Sequence, residues 1–430
     1  MELIISLEGL LWGGPLLLLL MGCHIFFTVF LRFPQRYTLR GIRLSLSQGK
    51  DETGVSAFGA LATSLAAAIG TGNIIGIASA VALGGPGAVF WCWITGLLGM
   101  ATRYAETLLT LKYRQKTPEG GFAGGPMYVM EQGLHMPRLG KCFSFLGVAA
   151  ALGTGAMIQS NAMGTGLYDA GLPKILTATL LTIGAGAIIL GGAKRIAAAC
   201  EKLVPAMGAL YILGCLGLLY ASRSAILPAL KLIFESAFTT KAASGGFVGS
   251  TLISALQYGT ARGLFTNESG MGTGPVAAAS GPCRSPEMEG LVGMTAVFWD
   301  TVVICALTGL SLVSAMVASP ELFENAGPGQ LCALAFSQIP GGRLLLTVCL
   351  CIFAFATVVG WSHYGACCGE YLWGKKALTI YRLIYLASAF CGVFLELELL
   401  WSLGGILAGL MAVPNVLCLL FLKKEIPAPK

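Results

Sequence analysis

Apolar segments long enough to cross a lipid bilayer follow one another along almost the whole chain, and this feature limits the possible folds most. Only 11% of the 430 residues are charged and 56% are hydrophobic, whereas soluble globular proteins have about 25% charged residues. So few charges cannot cover a water-facing surface, which excludes a soluble enzyme or a nucleic-acid-binding domain. The high apolar content also excludes an intrinsically disordered chain. The composition therefore indicates an all-α polytopic membrane protein.

Eleven segments have the roughly 20 apolar residues that a bilayer core of about 30 Å requires. They are 10–31, 54–83, 86–111, 142–168, 172–192, 196–221, 246–281, 288–317, 342–372, 376–394 and 397–422. The first is followed by several arginines and has no small-residue cleavage site. We therefore expect a retained helix rather than a cleaved signal peptide.

The positions of the basic residues predict the orientation of these spans. If the N-terminus lies outside, 20 of the 27 Lys and Arg residues fall in cytoplasmic segments, five fall outside, and Arg103 and Arg262 lie within spans. Cytoplasmic loops are enriched in Lys and Arg, so we predict an outside N-terminus and a cytoplasmic C-terminus. The net charge of +7 then reflects topology rather than a nucleic-acid partner. The segment 224–240, with Leu227, Ile233 and Phe234 at helical spacing, predicts an amphipathic helix on the outer interface.

The 14 cysteines are scattered through apolar segments without a CxxC pair, so we expect small packing residues rather than a disulfide framework. His363 and Cys367 are four residues apart and could supply half of a metal site. The chain has only three histidines, and we do not expect the other ligands to be present.

Two of the predicted spans are interrupted by glycine and polar residues. Span 54–83 contains the break at 70–73, and span 246–281 contains the break at 263–274. Irregular backbone at membrane depth is tolerated only where it is buried in protein or lines a cavity. Close packing of small residues is the alternative, but it does not explain the polar side chains in both breaks. The breaks open two runs of five spans that start on opposite sides, which predicts inverted repeats and a transport site at the midplane.

Six motifs, in this order, resemble the alanine/glycine:cation symporter family. They are Gly70-Thr71-Gly72-Asn73-Ile74 and the stretches at 84–91, 124–128, 264–268, 270–272 and 360–362. The resemblance runs from about residue 50 to 422. It implies a LeuT-like core of five plus five inverted helices in the APC superfamily, with one extra N-terminal helix here, giving 11 transmembrane helices. It also implies sodium-coupled, or in some members proton-coupled, uptake of small neutral amino acids across the bacterial inner membrane.

The resemblance and the span pattern together divide the chain into five parts. We expect an N-terminal helix with a basic cytoplasmic loop at 1–53, a first repeat at 54–221, and an extracellular linker at 222–245. The second repeat then occupies 246–422, and 423–430 forms a cytoplasmic tail. We expect a monomer without a prosthetic group.

A zwitterionic amino acid needs donors for its carboxylate and acceptors for its ammonium group. An unwound helix offers both, through free N–H groups at a positive dipole end and exposed carbonyls. Thr71, Gly72 and Asn73 in the first break and Phe265 to Gly270 in the second have suitable positions.

By similarity to family members, Gln159, Thr357 and Trp361 complete the substrate pocket. Trp361 would leave room only for a small side chain. Alternatively, Gln159 forms an interhelical hydrogen bond, and Trp361 is a packing or interfacial residue.

The cation site, by analogy with the wider fold, uses the carbonyls of Ala66 and Ile69 and the hydroxyl of Thr357 to bind sodium, which prefers hard oxygen ligands. The sequence departs from the family at Ala356, where relatives commonly have a serine, so one hydroxyl is missing. A second departure is Gly404-Gly405, where relatives often carry an acidic residue.

Charged residues within spans are functional candidates by default. We interpret Glu268 as a cap of the second break, with proton acceptance as the alternative. Arg103 and Glu106, three residues apart, predict a local ion pair or part of an inner gate.

Other classes of function fit less well. A channel would favour a repeated pore-lining ring, and a membrane enzyme would need facing catalytic groups that the three histidines do not supply. No P-loop is present, so ATP is not expected to drive transport. Within the transporter class, a preference for glutamine or serine and coupling to protons remain open.

Overall fold

The computed structural model describes residues 2–47, 55–117, 121–239 and 252–430. Among these residues helices dominate, and β-structure is limited to an antiparallel pair of two-residue strands, β1 Gln115–Lys116 and β2 Phe122–Ala123. This agrees with an apolar chain in which helices satisfy their own backbone hydrogen bonds.

Up to residue 239, the described residues form twelve α-helices. They are α1 Glu2–Trp12, α2 Pro15–Phe30, α3 Thr38–Leu46, α4 Ala57–Ala68, α5 Ile75–Gly84, α6 Gly87–Lys112, α7 Pro126–Tyr128, α8 Pro137–Ala150, α9 Gln159–Asp169, α10 Lys174–Ile189, α11 Gly192–Ala221 and α12 Ile226–Phe238. A π-helical turn at Val129–Gly133 follows α7. A second π-helical segment, Ala151–Ile158, joins α8 to α9.

The described residues from 252 onward form eight α-helices. They are α13 Leu252–Asn267, α14 Gly274–Ala279, α15 Pro286–Val297, α16 Ala306–Ala318, α17 Leu331–Phe336, α18 Gly342–Trp373, α19 Leu378–Gly392 and α20 Leu397–Phe421. A π-helical segment, Phe298–Cys305, joins α15 to α16. Short 3₁₀ turns lie at Pro34–Tyr37, Thr71–Asn73, Arg223–Ala225, Pro320–Leu322, Lys375–Ala377 and Lys423–Glu425.

Within the described residues, six helical segments are long and apolar enough to cross a membrane. They are Glu2–Phe30, Pro137–Asp169, Gly192–Ala221, Pro286–Ala318, Gly342–Trp373 and Glu398–Phe421. The pair Ala57–Ala68 and Thr71–Gly84, bent by 59°, raises the number to seven if it is one span. Helices α6, α10, α13 and α19 occupy the other four predicted spans but do not combine the length and hydropathy of these segments. The count of eleven therefore stays a prediction.

Both predicted breaks are present. Helix α4 ends at Ala68, and a 3₁₀ turn at Thr71–Asn73 precedes α5. Helix α13 ends at Asn267, and α14 begins at Gly274. Between them Gly270 and Gly272 have positive φ angles of 88° and 80°, which glycine adopts without steric cost. Glu268 also has a positive φ angle, of 54°.

Packing brings the two breaks to the centre of the helical assembly. Helix α4 lies against α11 and α18, and α13 lies against α6 and α5. The predicted N-terminal helix begins earlier than expected, at Glu2, and is interrupted by a turn at Gly13 and Gly14 between α1 and α2. It packs along α20 through α1 and along α6 through α2.

The segment predicted to be an amphipathic helix is α12, and its buried face consists mainly of small residues. Ala229, Ile233 and Ala237 are buried, whereas Leu227 and Phe234 are exposed. The small alanines allow close packing on α6, because its first residue, Gly87, approaches the α12 backbone closely. The larger apolar side chains therefore point away from the protein.

Candidate functional site

The first break is held by hydrogen bonds that its own turn and one neighbouring helix provide. The N–H of Gly70 donates to Oδ1 of Asn73 at 2.9 Å. The N–H and the hydroxyl of Thr71 both donate to Oε1 of Gln159, at 3.2 and 3.0 Å. A Cβ on Gly70 would lie 2.8 Å from Oγ1 of Thr357 and 3.1 Å from Oε1 of Gln159. Glycine is required here because these two side chains approach the backbone from opposite helices.

Asn73 also connects the first break to Asp300, a residue that the sequence analysis missed. Nδ2 of Asn73 donates to Oδ1 of Asp300 at 2.6 Å, and the hydroxyl of Thr301 donates to Oδ2 at 2.6 Å. Asn73 and Asp300 are both fully buried. An acidic residue within the apolar span 288–317 was the available signal, since charges in such spans are rare and functional.

The second break is closed by polar groups within its turn. The hydroxyl of Thr273 donates to the Glu268 carboxylate at 2.6 Å, and the N–H of Ser269 donates to Oδ1 of Asn267 at 2.9 Å. Nδ2 of Asn415, on α20, donates to the carbonyl of Gly270 at 2.8 Å. Glu268 therefore bonds within the turn, as the capping interpretation expects.

Arg103 and Glu106 form the predicted ion pair, with Nε and Oε2 3.7 Å apart, but the pair is more than local. Nη2 of Arg103 donates to the carbonyl of Asn267 at 2.7 Å. Oε1 of Glu106 accepts from the N–H of Gly272 at 2.9 Å and from Nδ2 of Asn415 at 2.7 Å. The buried pair on α6 thus fixes the second break to α6 and α20.

A small cavity of about 20 Å³ lies between the two breaks, with room for about one water molecule. Its lining comprises Ala67, Ala68, Gly70, Gly72, Thr154, Gln159, Phe265, Thr266, Glu268, Met271, Trp361 and Ala408. Four of the eight predicted substrate residues, Gly72, Gln159, Phe265 and Trp361, are in this set. We refer to this space as the central cavity.

The other four predicted substrate residues lie next to the central cavity rather than in its lining. Thr71 and Thr357 contact Gln159 and Gly70, which do line it. Asn73 is directed toward Asp300. A Cβ on Gly270 would point at Leu20 of α2, so Gly270 offers its backbone to α2 and α20 instead.

The three predicted sodium ligands come together beside the first break. Oγ1 of Thr357 donates to the carbonyl oxygens of Ala66 at 3.0 Å and Ile69 at 3.3 Å. These carbonyls are at the C-terminal end of α4, where helical partners are missing. Ala356 is fully buried in the same apolar cluster as Ala66 and Ile69. The donor set is one hydroxyl and two carbonyls, which are hard oxygen ligands.

Phe265 separates the central cavity from a second and larger one. Its ring lies 6.2 Å from the ring of Trp12 and 5.4 Å from that of Trp401. The larger cavity, of about 270 Å³, is lined by residues of α1, α5, α13 and α20, including Phe265 itself. We refer to it as the Arg262 cavity, after the basic residue in its wall.

Comparison with known proteins places the chain among transporters. The model of the sodium:alanine symporter family matches residues 1–428. An uncharacterized transporter of Haemophilus influenzae is 44% identical over 429 residues, covering 98% of this chain and 93% of the relative. The sodium/alanine symporter AgcS of Methanococcus maripaludis is 42% identical, covering 98% of this chain and 94% of the relative. The probable sodium/glutamine symporter GlnT of Bacillus subtilis is 35% identical, covering 97% and 87%.

Among solved structures, MhsT in complex with L-phenylalanine superimposes with a TM-score of 0.60 at 16% identity, covering 87% of this chain and 89% of MhsT. This similarity indicates a LeuT-type fold. Family and fold are those of multi-pass secondary transporters rather than enzymes. Over essentially its whole length, this chain belongs to the sodium:alanine symporter family.

Proposed function

We propose that the protein imports small neutral amino acids, alanine and glycine in the first place, together with sodium by alternating access. The observation that carries the proposal is that two unwound helices face one central cavity, with Gln159 and Trp361 in its wall. Broken helices that meet at mid-depth offer N–H groups and carbonyls to a zwitterion without burying an unpaired charge.

The substrate carboxylate then binds at the backbone of Thr71 and Gly72, and the ammonium group binds at the carbonyls that follow Phe265, up to Gly270. Asn73 and Gln159 hold the first break in shape through the hydrogen bonds described above. The position of Trp361 in the wall of the central cavity supports a small side chain, because the indole occupies the space that a longer one needs.

Sodium binds, in this proposal, to the carbonyl oxygens of Ala66 and Ile69 and to the hydroxyl of Thr357. The hydroxyl already lies within hydrogen-bonding distance of both carbonyls. If the O–H bond of Thr357 rotates away from the two carbonyl oxygens, a cation can take the place of the hydroxyl proton and contact all three oxygens. Binding of the cation beside Gly70 would stiffen the first break and thereby favour binding of the amino acid.

The topology that goes with this function has eleven transmembrane helices in two inverted repeats, at 54–221 and 246–422. The N-terminus lies outside and the tail at 423–430 lies in the cytoplasm. The surroundings are the bacterial inner membrane, and the working unit is a monomer. The distribution of basic residues supports the orientation.

A second candidate is coupling to protons, which is favoured by buried carboxyl groups beside both breaks. Glu268 lines the central cavity, and Asp300 contacts Asn73. A different substrate is a further alternative, since a relative with 35% identity is named a probable sodium/glutamine symporter.

Counterflow in proteoliposomes tests these proposals. Labelled alanine, glycine, serine and glutamine would each be offered with and without sodium. We expect sodium-dependent exchange of alanine and glycine. Uptake that is independent of sodium, follows an imposed pH gradient and is lost in Glu268→Gln would favour proton coupling. Preferential exchange of glutamine or serine would show that one of these, rather than alanine or glycine, is the preferred substrate.

A further inference from the structure

Four side chains with a hydroxyl, amide or carboxyl group lie in the wall of the central cavity, and three of them have hydrogen-bond partners. Gln159 and Glu268 accept from hydroxyl groups of the two breaks, and the hydroxyl of Thr266 donates to carbonyl groups of its own helix. The fourth is Thr154. In the described part of the chain its hydroxyl has no partner, although the residue is only 5% exposed. Buried polar groups are nearly always hydrogen-bonded, so a ligand group is expected to pair with this hydroxyl.

Thr154 belongs to the π-helical segment Ala151–Ile158, which joins α8 to α9. Segments of this kind occur frequently at functional sites. Nε2 of Gln159 donates to the backbone carbonyl of Thr154 at 3.4 Å. Thr154 therefore supports Gln159 through its carbonyl group, while its side chain remains available to the cavity.

The hydroxyl of Thr154 faces a part of α20 that has only small residues. A Cβ on Gly404 would lie 2.8 Å from Oγ1 of Thr154, and Ala408, one turn further along α20, lies in the cavity wall. Neither residue has a side chain that can form a hydrogen bond. A partner for the hydroxyl therefore has to come from a molecule in the cavity.

The position of Thr154 assigns it to the side chain of a bound amino acid rather than to its backbone groups. It precedes Gln159, which contacts the first break, by five residues, so it lies more than one helical turn away along the same segment. The next residue, Gly155, packs against Trp361, because a Cβ there would collide with the indole. Thr154 and Trp361 thus form the end of the cavity that is farther from Gln159.

A hydroxyl group within an otherwise apolar end of a pocket suits a short side chain that also ends in a hydroxyl group. A hydroxyl both donates and accepts, so the side chain of serine can pair with Thr154 in either direction. A methyl group in the same place would leave the hydroxyl of Thr154 unpaired. Sites built to hydrogen-bond a substrate hydroxyl discriminate against analogues that lack it.

We propose that Thr154 is a specificity-determining residue whose hydroxyl binds the side-chain hydroxyl of L-serine, so that serine belongs to the substrate class together with alanine and glycine. The inference rests on the proposed function, because serine binds in it through the same backbone groups as alanine. It distinguishes serine from a neutral amino acid of the same size with an apolar side chain.

Competition against sodium-dependent uptake of labelled alanine in proteoliposomes tests this role, with L-serine and L-2-aminobutyrate as competitors. The two have the same number of heavy atoms and differ by a hydroxyl in place of a methyl group. We expect serine to compete about tenfold better in the wild type, the order expected when a buried group loses its hydrogen bond. In Thr154→Val, which keeps the shape of the side chain without the hydroxyl, the preference should disappear or reverse.

Two variants serve as controls for the ratio between the competitors. Thr154→Ser keeps the hydroxyl and should retain the preference for serine. Thr177→Val, in α10, removes another buried hydroxyl that has no partner in the described part of the chain. Thr177 is not in the cavity wall, so this variant should also retain the preference.

Thermal unfolding of the purified protein in detergent keeps the test informative if a variant transports too slowly. The Thr154→Val protein should unfold at a temperature no lower than that of the wild type, because the lost hydroxyl has no partner within the protein. Serine should raise the unfolding temperature of the wild type more than 2-aminobutyrate does. In Thr154→Val this difference should be absent.

The outcomes separate the two proposals. Equal competition by serine and 2-aminobutyrate in a wild type that takes up alanine with sodium would overturn the inference and leave the proposed function intact. A preference for serine that persists in Thr154→Val would also overturn it, since another group would then bind the hydroxyl. A wild type that neither takes up alanine nor is stabilised by any of the three amino acids would overturn both.

Discussion

At the scale of single residues, Trp361 limits the size of the central cavity. It is 2% exposed and lies edge-on to Tyr364, with 5.5 Å between the ring centres. A Cβ on Gly155 would collide with it, so the indole is held between α18 and the π-helical turn of Ala151–Ile158.

We predict that Trp361→Ala weakens alanine binding more than tenfold and admits bulkier neutral amino acids. Loss of a buried aromatic side chain typically costs a few kcal/mol, and about 1.4 kcal/mol corresponds to tenfold in affinity. Competition by a series of neutral amino acids against labelled alanine measures both effects. Trp373→Ala, at the exposed end of the same helix, is the control. Unchanged affinity and selectivity would show that Trp361 does not limit the pocket.

The hydroxyl of Thr357 provides the second prediction at this scale. Thr357→Ala removes one of about three oxygen ligands and should raise the sodium concentration for half-maximal uptake by about tenfold to thirtyfold or abolish uptake. This corresponds to about 1.4–2 kcal/mol, within the range for a hydrogen bond lost in a buried site. Thr357→Ser keeps the oxygen and is the matched control.

Ala356→Ser tests the departure from the family in the opposite direction. It restores the hydroxyl that relatives commonly have, so we expect half-maximal uptake at a lower sodium concentration. Uptake measured at fixed alanine over a series of sodium concentrations gives the result. If the two substitutions change the maximal rate but not the dependence on sodium, the cation does not bind at Thr357.

At the scale of elements, the chain after α20 folds back over the end of α6. The carboxylate of Glu425 accepts from the hydroxyl of Tyr113 at 2.6 Å and from Nζ of Lys112 at 2.9 Å. The hydroxyl of Tyr104 donates to the carbonyl of Pro427 at 3.1 Å. These contacts fix the tail to the predicted cytoplasmic face.

The attachment of the tail should depend on pH at both ends of the scale. The hydrogen bond from Tyr113 and, after it, the interaction with Lys112 lower the pKa of Glu425. The Glu425 carboxylate therefore stabilises the attached tail above the usual carboxyl pKa range, and this stabilisation is lost as the pH falls through the lowered pKa. Burial, followed by the bond to Glu425, raises the pKa of Tyr113 to about 12. The Tyr113 hydroxyl therefore stabilises the attached tail below the usual tyrosine pKa of about 10, and this stabilisation is lost as the pH rises through about 12.

A fluorophore on Lys424→Cys, in a background without other cysteines, would report release of the tail. We expect release in acid and again in strong alkali, with the attached form between them. Glu425→Gln should abolish the transition in acid, whereas Glu396→Gln, at an exposed position, should not. A signal that is flat from acid to neutral pH in the parent would contradict the role of Glu425.

The helix breaks could be predicted from sequence because their cause is local. Glycines next to polar residues inside an apolar span mark a break wherever they occur, as at 70–73. The partners of Arg103 could not be predicted, since Asn267 lies 164 residues away and nothing near Arg103 indicates it. The side of α12 that packs on α6 could not be predicted either, because the small residues Ala229 and Ala237 lie on that side, whereas periodicity indicates only the line of large apolar residues.

At the scale of the whole molecule, the transport proposal requires two halves that face opposite sides of the membrane. The basic residues are consistent with this arrangement, since the segments at 32–50, 112–141 and 375–382 contain many of them. A route through the membrane that opens alternately to each side needs the two breaks at the same depth. Their contact through the central cavity supports that condition.

The orientation is the last prediction, and it concerns all of the spans together. With cysteines introduced at Glu2 and Lys424 in a cysteine-free background, an impermeant thiol reagent should label position 2 in intact cells and position 424 only after permeabilisation. Both positions are exposed, so lack of labelling at either would reflect the membrane barrier rather than burial. Restored Cys142, also exposed and next to the predicted cytoplasmic loop, is the inside control. An odd number of spans must separate termini on opposite sides, so labelling of both positions in intact cells would rule out eleven transmembrane helices.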